Sequence, residues 1–370
     1  MLSVRVTTNE GIEDVAAAEV TGLLGQAGLA VSQAREQPGG LGGVVMADLC
    51  TGQPADDDAA VCTRVWEALS QARSIYHVVV HVGEVEWRGQ PLDELATEIA
   101  ALPFTRMTRS GSFRASCSRI GEHPFHSPDV EVAVGTALQS RFGTAVDLVH
   151  YDVNVRVDII GSRCLCGYQL TGKKGLDRRH RWQYHPRVTL RTTVAYAMLR
   201  IAGFEAKPGN LHDPFCGSGT ILLEAAAVAK SAAGAKAGAP RLAGSDRSAR
   251  AVEGCRSNLE AAGILRQVSV NQIDARDLTA HLRPASLDYI ITNPPFGIRM
   301  GSSADLGALY RQFLEQAAGV LRPGGVLALL VGKRRGRFNR ILQSVHGFRL
   351  EHVRIIEIGG VYPGLFVLRR

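Results

Sequence analysis

Long apolar runs are missing from this 370-residue sequence. The best of them, Val326 to Val331, is far shorter than the ~20 residues that a spanning helix needs, so no membrane span is expected. The N-terminus carries acids from Glu10 onward and has no apolar core, which argues against a signal peptide. Paired cysteine spacing is missing too. The seven cysteines are scattered, and Cys164 and Cys166 stand too close for a Cys-x-x-Cys unit. That excludes the usual zinc modules and a disulfide framework, and it reads as reduced thiols in a cytoplasmic protein. His180, His185 and His212 lack ligand spacing, so no metal is expected. Asp56-Asp57-Asp58 has no supporting His or spaced Glu and reads as a solvated loop. No Ser/His/Asp or Cys/His set suggests covalent catalysis. No repeat with a period of roughly 20–50 residues is present.

Lysine is absent from residues 1–170, where 12 arginines face 21 acids for a net charge of −9. Residues 171–370 hold 30 basic residues against 14 acids, a net of +16. The total of +7 hides this asymmetry, which makes the second half the better candidate for facing a polyanion. The composition, 45% hydrophobic and 21% charged, is that of an ordinary globular chain long enough for two or three compact units.

Residues 1–60 alternate short strands with a helix over Glu13 to Leu24, and a glycine-punctuated turn precedes a strand over Val44 to Leu49. Residues 61–171 read as a small α+β unit. Strands are expected over Val78–Val82, Ser112–Cys117, Val146–Tyr151, Asn154–Ile160 and Cys164–Leu170. Helices are expected over Leu92–Leu102 and Val130–Phe142, each announced by a proline. Residues 172–191 form a basic connector that includes Arg178, Arg179 and Arg181, with Trp182 and Tyr184 among them. From Thr192 to the end, strands alternate with helices, the pattern of an α/β, doubly wound and mostly parallel sheet. Residues 231–240 are Ala/Gly-rich and read as a surface insertion.

The chemistry-bearing residues lie at the predicted strand ends. Asp213-Pro-Phe-Cys-Gly-Ser-Gly-Thr220 joins a strand to a helix. Gly217 and Gly219 allow a tight turn and close approach of a ligand, and the helix N-terminus favours a carboxylate. There is no Gly-x-Gly-x-x-Gly and no P-loop lysine. S-adenosylmethionine offers a carboxylate where a dinucleotide offers pyrophosphate, and Asp213 offers an acceptor to its ammonium. Asp246 ends the next strand and suits a ribose, although Asp246-Arg-Ser also fits a helix N-cap. Asp274 ends the third strand and suits the adenine amino group, with the Ala275 N–H near the ring.

Asn293-Pro294-Pro295-Phe296 follows the apolar strand Leu287 to Thr292. Two prolines remove N–H donors and leave carbonyls facing the site. A base amine has hydrogens to give and a lone pair delocalised into its ring. Accepting those hydrogens at Asn293 and at the Pro294 carbonyl makes the nitrogen more nucleophilic, and Phe296 offers a face to an unstacked base. Cys216 reads as a small packed residue.

These motifs, in this order, resemble the class I methyltransferases of the amino-group type, and the Asp-Pro-Phe-Cys-Gly-Ser-Gly-Thr turn is similar to that of the RNA guanine-N2 enzymes. Ser112-Phe-Arg-Ala-Ser-Cys-Ser-Arg119, His126-Ser-Pro and the following helix and strands resemble a THUMP domain, an RNA-binding module. The resemblance implies a ferredoxin-like piece over residues 1–60, THUMP over 61–171, a linker over 172–191 and a Rossmann-like methyltransferase domain over 192–370. It extends furthest to the bacterial and archaeal tRNA enzymes that make N2-methylguanosine at position 6 of the acceptor stem, towards which Asn293-Pro-Pro-Phe-Gly-Ile-Arg-Met-Gly301 leans. THUMP would hold the single-stranded tRNA 3′ end and measure the distance to the target base.

The cofactor contacts so implied are Thr189, Leu190, Asp213, Phe215, Cys216, Gly217, Ser218, Gly219, Thr220, Asp246, Arg247, Asp274, Ala275 and Asn293. Asn293, Pro294 and Phe296 are the catalytic set. RNA contacts are expected at Arg114, Arg119, Arg178, Arg179, Arg181, Arg299, Lys333, Arg334 and Arg335, with Arg337 beside them. Two departures from the family pattern fall in the connector. Arg179-His180-Arg181 lacks an aromatic hydroxyl between the basic residues, and no proline follows the basic residue in Leu190-Arg191-Thr192. A monomer acting on tRNA is expected. The alternatives are a 23S ribosomal RNA guanine-N2 enzyme, a DNA amino-methyltransferase (which would need a target-recognition domain) and a non-catalytic RNA-binding protein (which would show an eroded loop).

Overall fold

The computed structural model describes residues 2–50, 58–172, 174–186, 189–232, 240–296, 303–332 and 335–370. They form two compact units. One comprises Met1–Thr8 and Ala16–Leu176, and the other comprises Asn9–Val15 and Asp177–Arg370.

The first unit is built on β1 (Leu2–Thr7), α1 (Glu13–Gln26), β2 (Val31–Glu36), β3 (Val44–Leu49), α2 (Asp58–Leu69) and β4 (His77–Glu86). It continues with α3 (Leu92–Ala100), β5 (Ser112–Ile120), α4 (Ser127–Phe142), β6 (Ala145–Val146), β7 (Val153–Ile160) and β8 (Arg163–Gln169). The eight strands make one sheet in the order β2-β3-β1-β4-β8-β7-β5-β6. Strands on both sides of residue 60 therefore share a sheet, β1 pairing antiparallel with β4. One apolar cluster packs Val4, Val6, Val20, Leu24 and Val65, and a second packs Leu95, Ile99, Phe113, Val134 and Val155. Arg5 of β1 is fully buried, and its guanidinium donates to Asp158 of β7 at 2.6 Å. A buried cation of this kind is tolerated only because it is paired.

Helix α4 starts at Ser127, one residue before the predicted proline, with the His126 N–H bonded to the Asp129 carboxylate at 2.7 Å, and stops at Gly143 in the left-handed region. The strand expected over Val146–Tyr151 is not formed beyond Val146. The Asp147 carboxylate accepts from the N–H groups of Val149 and His150, both at 2.8 Å, so the apolar residues that suggested a strand lie on a turn.

The second unit runs α5 (Thr192–Ile201), β9 (Leu211–Asp213), α6 (Thr220–Ala232), β10 (Leu242–Asp246), α7 (Ala249–Ala261), β11 (Val268–Gln272) and α8 (Leu278–His281). It ends with β12 (Leu287–Thr292), α9 (Ser303–Val320), β13 (Leu321–Val331), α10 (Arg335–Ser344), β14 (Arg349–Ile355) and β15 (Gly364–Arg369). The sheet order is β11-β10-β9-β12-β13-β15-β14. The five strands from β11 to β13 are parallel, and β15 lies antiparallel between β13 and β14. Apolar clusters cover both faces, which is why β12 and β13 read as continuous hydrophobic runs.

Asn9–Val15 completes this unit. Ile12 and Val15 sit in its core. The Asn9 amide donates to the Glu357 carbonyl at 2.8 Å and accepts from the Thr193 hydroxyl at 2.7 Å, and Arg354 pairs with Asp14. Among the described residues no helix is long and apolar enough to cross a membrane, no three metal-ligating side chains gather, and all seven cysteines are free. Of the sequence expectations, those on Asp56, Asp57, residues 233–239, the Gly297–Gly301 tail with Arg299, Lys333 and Arg334 lie outside the described residues.

Candidate active site

In a parallel sheet, ligands gather outside the carboxyl ends of the strands, where strand order reverses. Here that reversal falls between β9 and β12, and the predicted residues converge on it. Asp213 ends β9 and is buried. Its Oδ1 accepts from the Thr292 hydroxyl at 2.6 Å and from the Phe215 N–H at 3.1 Å. Burial pushes its carboxyl up to about 7, against the pull of those two bonds.

The glycine turn closes through the Gly219 N–H on the Cys216 carbonyl, 2.7 Å, and the Cys216 N–H on the Ser245 carbonyl of β10, 2.9 Å. Gly219 has φ +85°, and a Cβ there would stand 2.7 Å from Cys255 Sγ. Only glycine fits on both counts. Cys216 is buried, and its contact with Cys255 together with burial raises its thiol, so it stays protonated. Ser218 and Thr220 are buried beside it, with hydroxyls 3.3 Å apart. Phe215 stacks edge-on against Phe313.

Asp246 ends β10, and its two oxygens accept from the N–H groups of Gly217 (3.2 Å) and Ser248 (2.9 Å). The N-cap of α7 is Ser248 rather than Asp246, which leaves the Asp246 carboxylate at the turn. Arg247 is exposed beside it. Asp274, beyond the end of β11, is held by Arg276 through both oxygens, at 2.6 and 2.9 Å, and this bond pulls its carboxyl below the usual range. Ala275 is buried next to it. Leu190 is part of the core and can offer only backbone, while the Thr189 hydroxyl donates to the Pro186 carbonyl at 2.9 Å.

Asn293 to Phe296 leave the end of β12. Asn293 Oδ1 is buried and has no hydrogen-bond partner among the described residues. A buried, unpaired acceptor is costly, and it marks a place where a ligand donor belongs. Pro294 is buried, and the Pro295 carbonyl accepts from the Tyr310 hydroxyl at 3.3 Å. Phe296 packs against the core, its Cβ only 2.9 Å from where a Cβ on Gly332 would stand.

Several residues that hold this arrangement were not singled out in the sequence. Thr292 carries the hydroxyl that binds Asp213. Asn258, inside α7, accepts from the N–H groups of Gln183 (2.8 Å) and Tyr184 (2.9 Å) and donates to the carbonyls of Tyr184 and Ser218, pinning the connector to the glycine turn. Its signal was an amide on the face shared by Cys255 and Leu259. Glu224, fully buried on α6, accepts from Arg179 Nε at 2.9 Å and meets His180 at 2.7 Å. Arg179, expected on RNA, is thus committed to an internal carboxylate. Arg178 and Arg181 are exposed. Arg114 and Arg119 lie over the rings of Tyr151 and Phe125, and Arg335 donates to the Tyr362 carbonyl.

A glycine turn after the first strand, acids closing the next two, and Asn-Pro-Pro-Phe behind the fourth define a class I methyltransferase, a class whose methyl donor is S-adenosylmethionine. The residues present fit that donor: carboxylates at three successive strand ends and an unpaired acceptor at the fourth. Residues 178–363 match the RMKL-like methyltransferase domain, and residues 90–166 match the THUMP domain. The chain is 38% identical, over 83% of its length and 88% of the relative's, to a tRNA (guanine(6)-N2)-methyltransferase of Thermus thermophilus. It is 26% identical, over 75% and 74%, to one of Archaeoglobus fulgidus. Among solved structures, TrmN from Thermus thermophilus superposes with a TM-score of 0.75 at 33% identity, over the whole of both chains. The chain belongs to the RMKL-like methyltransferase family, in a form that also carries a THUMP domain.

Proposed function

We propose that this enzyme methylates the exocyclic N2 of a guanine in tRNA, forming N2-methylguanosine at position 6 of the acceptor stem. The observation that carries the chemistry is the buried, unpartnered Oδ1 of Asn293 between the end of β12 and two prolines. The tRNA and the position rest on the similarity to enzymes so named. Bound S-adenosylmethionine supplies an electrophilic methyl group. Asp213, Asp246 and Asp274 would hold its ammonium, ribose and adenine amino group, with backbone from Gly217 to Thr220 and from Ala275 around it.

Asn293 Oδ1 and the Pro294 carbonyl accept the two amine hydrogens, which draws the nitrogen lone pair out of the ring. Phe296 stacks on the base. No basic side chain is needed before transfer, because the nitrogen becomes acidic once alkylated. Positioning supplies most of the acceleration. On the RNA side we assign residues 61–171 to the THUMP domain, residues 1–60 to a ferredoxin-like piece and 172–191 to a linker. Arg114, Arg119, Arg178, Arg181 and Arg335 are the sequence-derived phosphate contacts proposed among the described residues.

The test is labelled-methyl transfer to total RNA, followed by size separation and nucleoside analysis. Label is expected in the tRNA fraction as N2-methylguanosine. Asn293→Ala is expected to abolish transfer while leaving cofactor binding largely intact. Label in ribosomal RNA, or transfer by Asn293→Ala, would overturn the assignment.

A further inference from the structure

Tyr310 on α9 is buried, and its hydroxyl donates to the Pro295 carbonyl of the catalytic loop at 3.3 Å. We propose that Tyr310 is a positioning residue for methyl transfer: its hydroxyl sets the direction in which the chain leaves the two prolines, and so aims the Phe296 ring at the substrate base. The proposal rests on the base-methylating reading above and adds a residue from outside the loop itself.

Few rotations are open to this loop. The rings of Pro294 and Pro295 lock φ at both positions. A proline also follows Asn293 and Pro294, which confines ψ at each to the extended range. The first backbone rotation that the sequence leaves free is therefore ψ of Pro295. That rotation turns the Pro295 carbonyl and carries Phe296 with it. A buried tyrosine hydroxyl takes a partner wherever it lies. What singles out Tyr310 is that its partner is the carbonyl on this rotation.

The hydroxyl is itself well anchored. Its ring packs edge-on against Phe338 of α10 at 5.3 Å, and Phe338 packs likewise against Phe366 of β15 at 4.9 Å. All three rings are buried. Burial holds the phenol above its ordinary range, so it remains a donor. Gly332, just beyond β13, makes room for the ring that is aimed. A Cβ there would stand 2.9 Å from Phe296 Cβ and 3.0 Å from its Cγ. Phe296 is only partly buried against the core, which leaves part of its ring to a base.

Tyr310→Phe deletes the hydroxyl and keeps the ring. Single-turnover methylation at saturating RNA and cofactor is compared in wild type, Tyr310→Phe, Phe296→Leu and the double variant. Tyr310→Phe is expected to transfer roughly 3–10-fold more slowly, the effect of one hydrogen bond on the transition state. Its KM for RNA and its cofactor affinity should stay within about twofold of wild type. Because the hydroxyl acts through Phe296, the double variant should be no slower than Phe296→Leu alone. Leu314→Val, one turn along the same buried face of α9, is the control: its thermal midpoint should fall at least as far, with the transfer rate kept. Labelling with 4-fluorophenylalanine gives a readout on the free protein. The Phe296 signal, assigned in each background by adding Phe296→Leu, is expected to shift or broaden in Tyr310→Phe and to hold its place in Leu314→Val. An unchanged transfer rate, full additivity of the two losses, or an equal loss in Leu314→Val overturns the proposal, and so does an unchanged fluorine signal. A wild type that methylates no RNA overturns the functional reading instead, and the fluorine signal then decides on Tyr310 alone.

Discussion

Replacing Thr292 with valine keeps shape and burial but removes the hydroxyl 2.6 Å from Asp213 Oδ1. In the cofactor-free protein, burial holds that carboxyl at about 7, with the Thr292 and Phe215 bonds opposing it. A hydrogen bond to a charged group is worth ~1.5–3 kcal/mol, so Thr292→Val should push the Asp213 carboxyl higher still, making its ionisation roughly 10–100-fold less favourable. Only the ionised carboxylate attracts the cofactor ammonium, so protons compete with the cofactor.

Wild-type affinity should then rise from pH 5.5 towards pH 8 and half-saturate near 7. At pH 7 the variant should bind roughly 5–50-fold more weakly, and the deficit should shrink as pH rises. Titration calorimetry across pH 5.5–8 measures this, stopping where the ligand's own amino group begins to lose its proton. The sign for stability is opposite. A carboxyl raised above its unfolded value of 3.8 binds the extra proton in the folded state. Its contribution is complete below that value and is lost as pH climbs to about 7. Equal affinities of wild type and Thr292→Val at pH 6 and 7, or a pH-independent deficit, would refute the reasoning.

Gly219→Ala should cost ~1–3 kcal/mol for the left-handed backbone, and about as much again for the contact with Cys255. Adding Cys255→Ala should recover only the second part, read as thermal midpoint and cofactor affinity. Arg179→Ala removes one partner of a fully buried carboxylate and should cost ~3–5 kcal/mol, a large fall in midpoint. Arg178→Ala should leave the midpoint alone and weaken RNA binding at low salt; the reverse pattern would return Arg179 to the RNA surface. Asn258→Ala strands the N–H groups of Gln183 and Tyr184 and should cost ~2–4 kcal/mol, with faster proteolysis in the connector as a second readout.

The places of the strand-end acids and of the Asn-Pro-Pro-Phe loop were legible because each falls where a predicted strand gives way to a turn. The parallel sheet was legible from the alternation of strands and helices. What the sequence hid depends on partners far along the chain. Nothing local distinguishes Arg179 from Arg178, yet one meets Glu224 and the other meets solvent. Leu148 and Val149 look like strand residues until Asp147 takes their backbone into a turn. Helix α10 begins in the basic run Lys333 to Arg337, where no hydrophobic period stands out, and the antiparallel β15 follows a turn at Gly359 and Gly360 that carries no strand signal of its own.

The segment Asn9–Val15 sets an order of events during synthesis. It leaves the ribosome long before its hydrogen-bond partner Glu357, which is 348 residues further on. The first unit has all its residues once Leu176 is made. The core of the second must wait for Ile356, Leu365 and Val367, with Ile12 and Val15 short of their partners until then. Contacts of such separation are slow to form, because the chain between them must first be ordered. A chain that stops before β14 and β15 therefore lacks more than those strands: the seat of Asn9–Val15 is missing too.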